Sequence, residues 1–217
     1  RINPFEVLEQ HKNSVTFVQR SDENTKRDFP FDYELKIKYT INGDTVTNEY
    51  IVTNTGEDKL PFVIGGHPAF NCPLAKGEKF EDYKVVFDKN ITKPCLRPNH
   101  HTGLVNVFEK FDEMHGGDTL SLVHELFEEK DALIFENCEA KSATLIGKSG
   151  KGVKIEFQDM NNLLIWSAVG NAPFVALEPW TGLASCNDED GLFEHKRGMT
   201  VLEKDETASF KFKITMI

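Results

Sequence analysis

Between Tyr33 and Ile41 the apolar residues Tyr33, Leu35, Ile37, Tyr39 and Ile41 alternate with Glu34, Lys36, Lys38 and Thr40. A side-chain period of two belongs to a half-buried strand and excludes an amphipathic helix over the same residues. Asn42-Gly43 follows, a pair that tolerates positive φ, and a second β-rich run occupies residues 45–53, so the two runs read as a hairpin. The end of the chain repeats the pattern, with Ala208, Phe210, Phe212 and Ile214 set against Ser209, Lys211, Lys213 and Thr215. Shorter β-rich runs lie at residues 15–20, 83–87, 132–135, 143–146, 153–157, 163–168 and 174–177, separated by Gly, Asn and Asp. The best helix signal, residues 120–129, is worth a turn or two, and no alternation of strands with helices is present. The expected fold is therefore all-β, an antiparallel sandwich or barrel. No repeat, linker or compositional shift divides the 217 residues, so residues 1–217 are expected to form a single β-sandwich domain. Residues 94–117, which carry His100, His101 and His115, read as a wide loop.

Composition removes several function classes. The formal charge of -10 opposes a polyanion, so no nucleic-acid partner is expected. No apolar run reaches the roughly 20 residues that a bilayer requires, and no signal peptide is visible, which points to a cytoplasmic protein with no membrane partner. Cys72, Cys95, Cys138 and Cys186 stand singly and far apart, without a CxxC pair, and read as reduced core thiols. His100 and His101 are adjacent and would point to opposite faces of a strand. Neither HxH nor HExxH spacing occurs, so no metal is expected, and GxxxxGK[ST] and GxSxG are equally lacking.

Two stretches carry candidate chemistry. Gly65-Gly66-His67-Pro68-Ala69-Phe70-Asn71-Cys72-Pro73 places one imidazole where a loop meets a strand, with two glycines that permit a sharp turn or a close approach. A histidine there also suits a plain strand cap. Ala176-Leu177-Glu178-Pro179-Trp180-Thr181-Gly182 sets a carboxylate at the end of an apolar run, where it needs a partner or a task unless the strand has simply reached solvent. Trp180 suits stacking on a pyranose as well as it suits a core, and Trp166 reads as core. A glutamate, with an ordinary pKa of about 4.3, would be ionised at neutrality unless strongly buried, while a histidine near 6.5 would be partly protonated. A histidine and a glutamate brought together from distant segments, beside an aromatic, suit proton transfer on a sugar.

Taken together, the two stretches resemble the aldose 1-epimerase family of the galactose mutarotase type, and more closely its bacterial LacX-like branch. Asp131-Ala132-Leu133-Ile134-Phe135, Lys196 and Gly198 extend the match in the right order. The resemblance implies a galactose mutarotase-like supersandwich with a sugar cleft across one sheet and no cofactor. It implies that Glu178 takes the proton of the anomeric hydroxyl as general base and that His67 protonates the ring oxygen as general acid. Asp131, Trp180, Phe70 and Arg1 are the implied sugar contacts, a free aldohexose is the implied partner, and a homodimer is left open. Relatives begin with further strands and a segment like His-Gly-Phe-Ala-Arg, whose last residue Arg1 matches, so the chain is expected to lack those N-terminal strands. Two competing readings stand beside the epimerase. One is a non-catalytic carbohydrate-binding module of the same fold. The other is a sugar-phosphate mutarotase, which would line the cleft with Arg or Lys, Arg97 being the residue to watch.

Overall fold

The computed structural model describes residues 3–99, 101–128 and 131–217, so Arg1, one of the implied sugar contacts, lies outside the described residues. The first two strands, β1 (Glu6–His11) and β2 (Ser14–Arg20), form a hairpin. The alternation at residues 33–41 becomes β3 (Tyr33–Asn42), which pairs with β4 (Thr45–Asn54) through a two-residue loop, Gly43 and Asp44. Gly43 takes φ 58 there, and positive φ at the first loop position twists the turn in the sense of its flanking strands.

A third short pair, β5 (Leu60–Phe62) with β16 (Thr200–Leu202), lies beside two larger sheets. The nine-stranded sheet runs β1, β2, β3, β4, β17 (Thr207–Met216), β13 (Gly152–Glu156), β12 (Ser142–Gly147), β7 (Tyr83–Phe87) and β10 (Thr119–Ser121). The six-stranded sheet runs β6 (Ala69–Asn71), β15 (Phe174–Trp180), β14 (Asn162–Trp166), β11 (Leu133–Phe135), β8 (Cys95–Pro98) and β9 (Val105–Phe111). Every named strand pair among the described residues is antiparallel. This is the all-β antiparallel architecture expected from the alternation, in the supersandwich form that the resemblance implied.

Period-two geometry then sorts each strand's residues between two layers. Leu163, Ile165, Val175, Leu177, Leu133 and Phe135 turn inward and meet Tyr50, Phe212, Ile155, Leu145 and Val85 of the large sheet in the main core. Leu164, Ile134 and Leu96 turn the other way and form a second apolar cluster with Val105, Leu183 and Cys186. The middle strands of the smaller sheet are thus apolar on both faces. All four cysteines are buried free thiols, as their isolation in sequence suggested.

One segment departs from the sequence reading. Residues 94–117 contain β8 and β9 rather than one wide loop, and they do not read as strands because a charged residue, Arg97, sits at a buried position of β8. The helix signal that begins at Leu120 gives a single turn, α1 (Glu125–Glu128), as short as expected, with its start drawn into β10. Among the described residues no helix is long and apolar enough to cross a membrane.

Candidate functional site

The site is a consequence of register. On the edge of the smaller sheet, Ala69 pairs with Ala176 and Phe70 with Val175, while upstream Gly65 bridges Trp180. The backbone between them keeps the same alignment, because Gly66 N–H donates to Pro179 O at 3.0 Å and Leu177 N–H to Pro68 O at 3.1 Å. Ile64 N–H donates to Thr181 Oγ1 at 3.0 Å and Thr181 N–H to Ile64 O at 2.9 Å, which closes the upper end. This alignment carries His67 directly across from Glu178. Their side chains meet, with His67 Nε2 3.2 Å from Glu178 Oε1.

Three rows of side chains therefore cross the face of the sheet turned away from the main core. The lowest is Trp166, Ala176 and Ala69, the next Leu164, Glu178 and His67, and the uppermost Asn162, Trp180 and Gly65. Alternation sends Gly66, Pro68 and Phe70 to the opposite side. The two glycines serve close approach. A Cβ on Gly65 would lie 2.3 Å from Cδ1 of Trp180, and one on Gly66 would lie 2.6 Å from Cε1 of Phe212. Gly65 thus admits the indole above it, while Gly66 rests on the core. The Trp180 indole N–H donates to Gly66 O at 3.1 Å. Below, Asn162 is buried, and its Nδ2 reaches the carbonyl oxygens of Trp180, Thr181 and Gly182 within 3.3 Å. Strand β15 is fixed at the point where it leaves the sheet.

Glu178 does not end a strand that has reached solvent. The strand runs on through Pro179 and Trp180, and the Glu178 side chain is 3% exposed against 57% for His67. Burial chiefly, and the negative charge of Asp131 in addition, push its carboxyl up to about 8. Strong burial is the exception to an ionised glutamate at neutrality, and the sequence could not register how deep position 178 lies. The result is a proton-retaining carboxyl touching an exposed imidazole, a pair able to hand one proton back and forth.

The remaining expected residues are placed unequally. Asp131 stands just before β11 in left-handed backbone at φ 56, half-buried and near enough for its charge to act on Glu178. Trp180 borders the pair, but its indole lies over Gly65 with its N–H engaged. Phe70 does not face the site: it pairs across from Val175 and packs against the main core, one residue out of phase with Ala69 and Asn71. Arg97 is 3% exposed, its guanidinium held by Glu113 Oε1 at 2.8 Å and Leu126 O at 2.7 Å. It is therefore closed to an incoming phosphate. Trp166, read as core, packs half-buried against the second apolar cluster and also lies beside His67, with ring centroids 5.6 Å apart and planes at 82°. Only register reveals this, because Trp166 falls across from Ala176 and so shares the face of Glu178. Among the described residues no group of three or more His, Cys, Asp or Glu side chains is gathered as a metal ion would need.

Comparison with known proteins finds relatives that match almost the whole chain. The family model described as aldose 1-epimerase matches residues 1–215. Two proteins LacX of Lactococcus lactis subsp. lactis, one plasmid-borne and one chromosomal, are each 35% identical over 221 residues, covering 100% of this chain and 73% of the relative. Among solved structures, a galactose mutarotase related enzyme from Lactobacillus acidophilus superposes with a TM-score of 0.86 at 27% identity, over 98% of this chain and 71% of that one. A galactose mutarotase-like protein from Lactobacillus casei gives 0.84 at 29% identity, over 98% and 73%. With the family model matched from residue 1 to residue 215 and the relatives covered over most of their length, this chain belongs to the aldose 1-epimerase family.

Proposed function

We propose that this protein is a mutarotase that interconverts the α and β anomers of a free aldohexose. The observation that carries the reading is the contact between His67 and Glu178, an exposed imidazole and a buried carboxyl 3.2 Å apart on one face of a sheet. Mutarotation removes a proton from the anomeric hydroxyl and delivers one to the ring oxygen, and both oxygens hang on the same carbon. An acid and a base serving them must be close neighbours. Two glycosidase carboxyls, by contrast, stand at least about 5 Å apart. Glu178 accepts the hydroxyl proton as the C1–O1 bond becomes a carbonyl. The C1 to ring-oxygen bond breaks in the same step, and its electron pair takes the proton held by His67. The open aldehyde rotates about C1–C2 and presents its other face. The two transfers then run in reverse, and the pair ends with the proton count it began with.

The sugar-phosphate reading is weaker on the same geometry. Arg97 is buried and engaged, Arg20 pairs with Glu34, and Arg197 pairs with Glu136 and Asp188. The test is polarimetry on freshly dissolved α-D-glucose and α-D-galactose. Accelerated mutarotation that is lost in Glu178→Gln supports the epimerase. Sugar binding without acceleration replaces it with a carbohydrate-binding module.

A further inference from the structure

Outside the His67–Glu178 pair, two tryptophans stand on the same face of the sheet, Trp166 on one side of the pair and Trp180 on the other. We propose that Trp166 is a positioning residue that sets the ring plane of His67, and through it the delivery of the proton to the ring oxygen. The inference rests on the mutarotase reading and deepens it.

His67 has a fixed backbone and a loosely bounded side chain. The hydrogen bonds of Gly66 and Pro68 to β15 anchor its main chain on both sides. Its imidazole is 57% exposed, and Glu178 touches it through one nitrogen. An exposed imidazole turns about two side-chain torsions unless something stops it. In the row below it, Ala176 and Ala69 are too short to do so, whereas Trp166 meets the ring nearly at right angles, at 82° and 5.6 Å. Trp166 is itself held, for Phe174 lies against it at 5.5 Å and 59°. Trp180 cannot take this part, because its indole is seated over Gly65 and bonded to Gly66. The two tryptophans on this face thus divide the work: Trp180 fixes the backbone on which His67 is mounted, and Trp166 fixes the ring. A proton donor must point at one oxygen of the sugar, and a misplacement of about 1 Å can cost about 100-fold in rate.

Three variants of the full chain test this by mutarotation kinetics and by the imidazole proton resonances of His67. Trp166→Leu keeps apolar bulk but removes the ring, and should lower kcat by about 10-fold or more while KM stays within about threefold. The His67 resonances should lose their ring-current displacement in the same variant. Trp166→Phe restores an aromatic edge and should recover most of kcat together with the displaced resonances. Phe174→Leu removes the backing of Trp166 and should give an intermediate loss, which keeps the test open if Trp166→Leu fails to fold. Undiminished kcat in Trp166→Leu and Phe174→Leu overturns the positioning role and leaves the mutarotase reading standing. A fall in KM-determined binding with kcat intact makes Trp166 a sugar contact and also overturns it. A wild-type protein that does not accelerate mutarotation overturns both.

Discussion

At the scale of single residues, the decisive quantity is the height of the Glu178 carboxyl. Because the buried carboxyl ionises near 8 rather than in the usual carboxylate range, the base form is scarce below neutrality. We expect the acid limb of kcat/KM for mutarotation to lie near pH 8, far above the limb near 4 that an exposed glutamate would give. Glu178→Gln should lower kcat by roughly 10² to 10⁴. A limb near 4 would show that the resting carboxyl is not the base. The same shift has a consequence for stability. Between an ordinary glutamate pKa of about 4.3 and about 8, the folded chain holds a proton that the unfolded chain has released, so this group's contribution to stability falls as pH rises through that window. Removing the charge should flatten the fall. Urea unfolding at pH 6 and pH 9 should therefore find the advantage of Glu178→Gln over wild type growing by on the order of a few kcal/mol from the lower pH to the higher. Parallel pH dependences in the two proteins would refute the assignment of the burial cost to this carboxyl.

At the scale of elements, the edge of the smaller sheet behaves as one unit. Gly65 has no room for a methyl group without displacing the Trp180 indole, whose N–H is bonded one residue further on. Gly65→Ala should destabilise the protein by about 1–3 kcal/mol, the usual range for overpacking. It should also shift Trp180 emission, read in a Trp166→Phe background so that a single tryptophan reports. Unchanged emission and stability would mean that the edge yields without strain. Elements of this kind also mark how far sequence carries. The strands with one apolar and one polar face, β3, β4 and β17, are legible because alternation depends only on which side meets water. The pairing of His67 with Glu178 is legible as two motifs, not as a distance. What alternation cannot supply is register: it leaves Phe70 and Trp166 on unspecified faces, and the structure turns Phe70 toward the main core and Trp166 toward the second apolar cluster and His67. Strand β8 is hidden for a different reason. Arg97 is buried by virtue of its partners Glu113 and Leu126, which come from outside the strand and leave no local periodicity to detect.

For the whole molecule, the question is how the large sheet supports chemistry carried out on the smaller one. The link is β17, which lies between β4 and β13 in the large sheet and sends Phe212 across the core. Phe212 is 2% exposed, has the Tyr50 ring at 6.2 Å, and fills the space under Gly66 that a Cβ would occupy. The residue next to Gly66 is His67, so the core face of the sheet is the floor on which the imidazole stands. Two positions earlier on the same face, Phe210 packs instead against Phe62 of β5, with ring centroids 6.1 Å apart. The two phenylalanines share strand, face and chemistry but support different segments. Phe212→Ala should destabilise the protein by about 3–5 kcal/mol, the range for a buried phenylalanine truncated to alanine. In a chain of this length that lowers Tm by roughly 10 °C. It should also reduce kcat in the fully folded protein, well below the transition, because Gly66 and its neighbour can settle into the cavity. Phe210→Ala should cost stability as well but leave kcat close to wild type. Calorimetry paired with mutarotation rates at low temperature separates the two effects. If both variants lose turnover in proportion to lost stability, Phe212 has no specific role beneath His67, and the large sheet contributes stability alone.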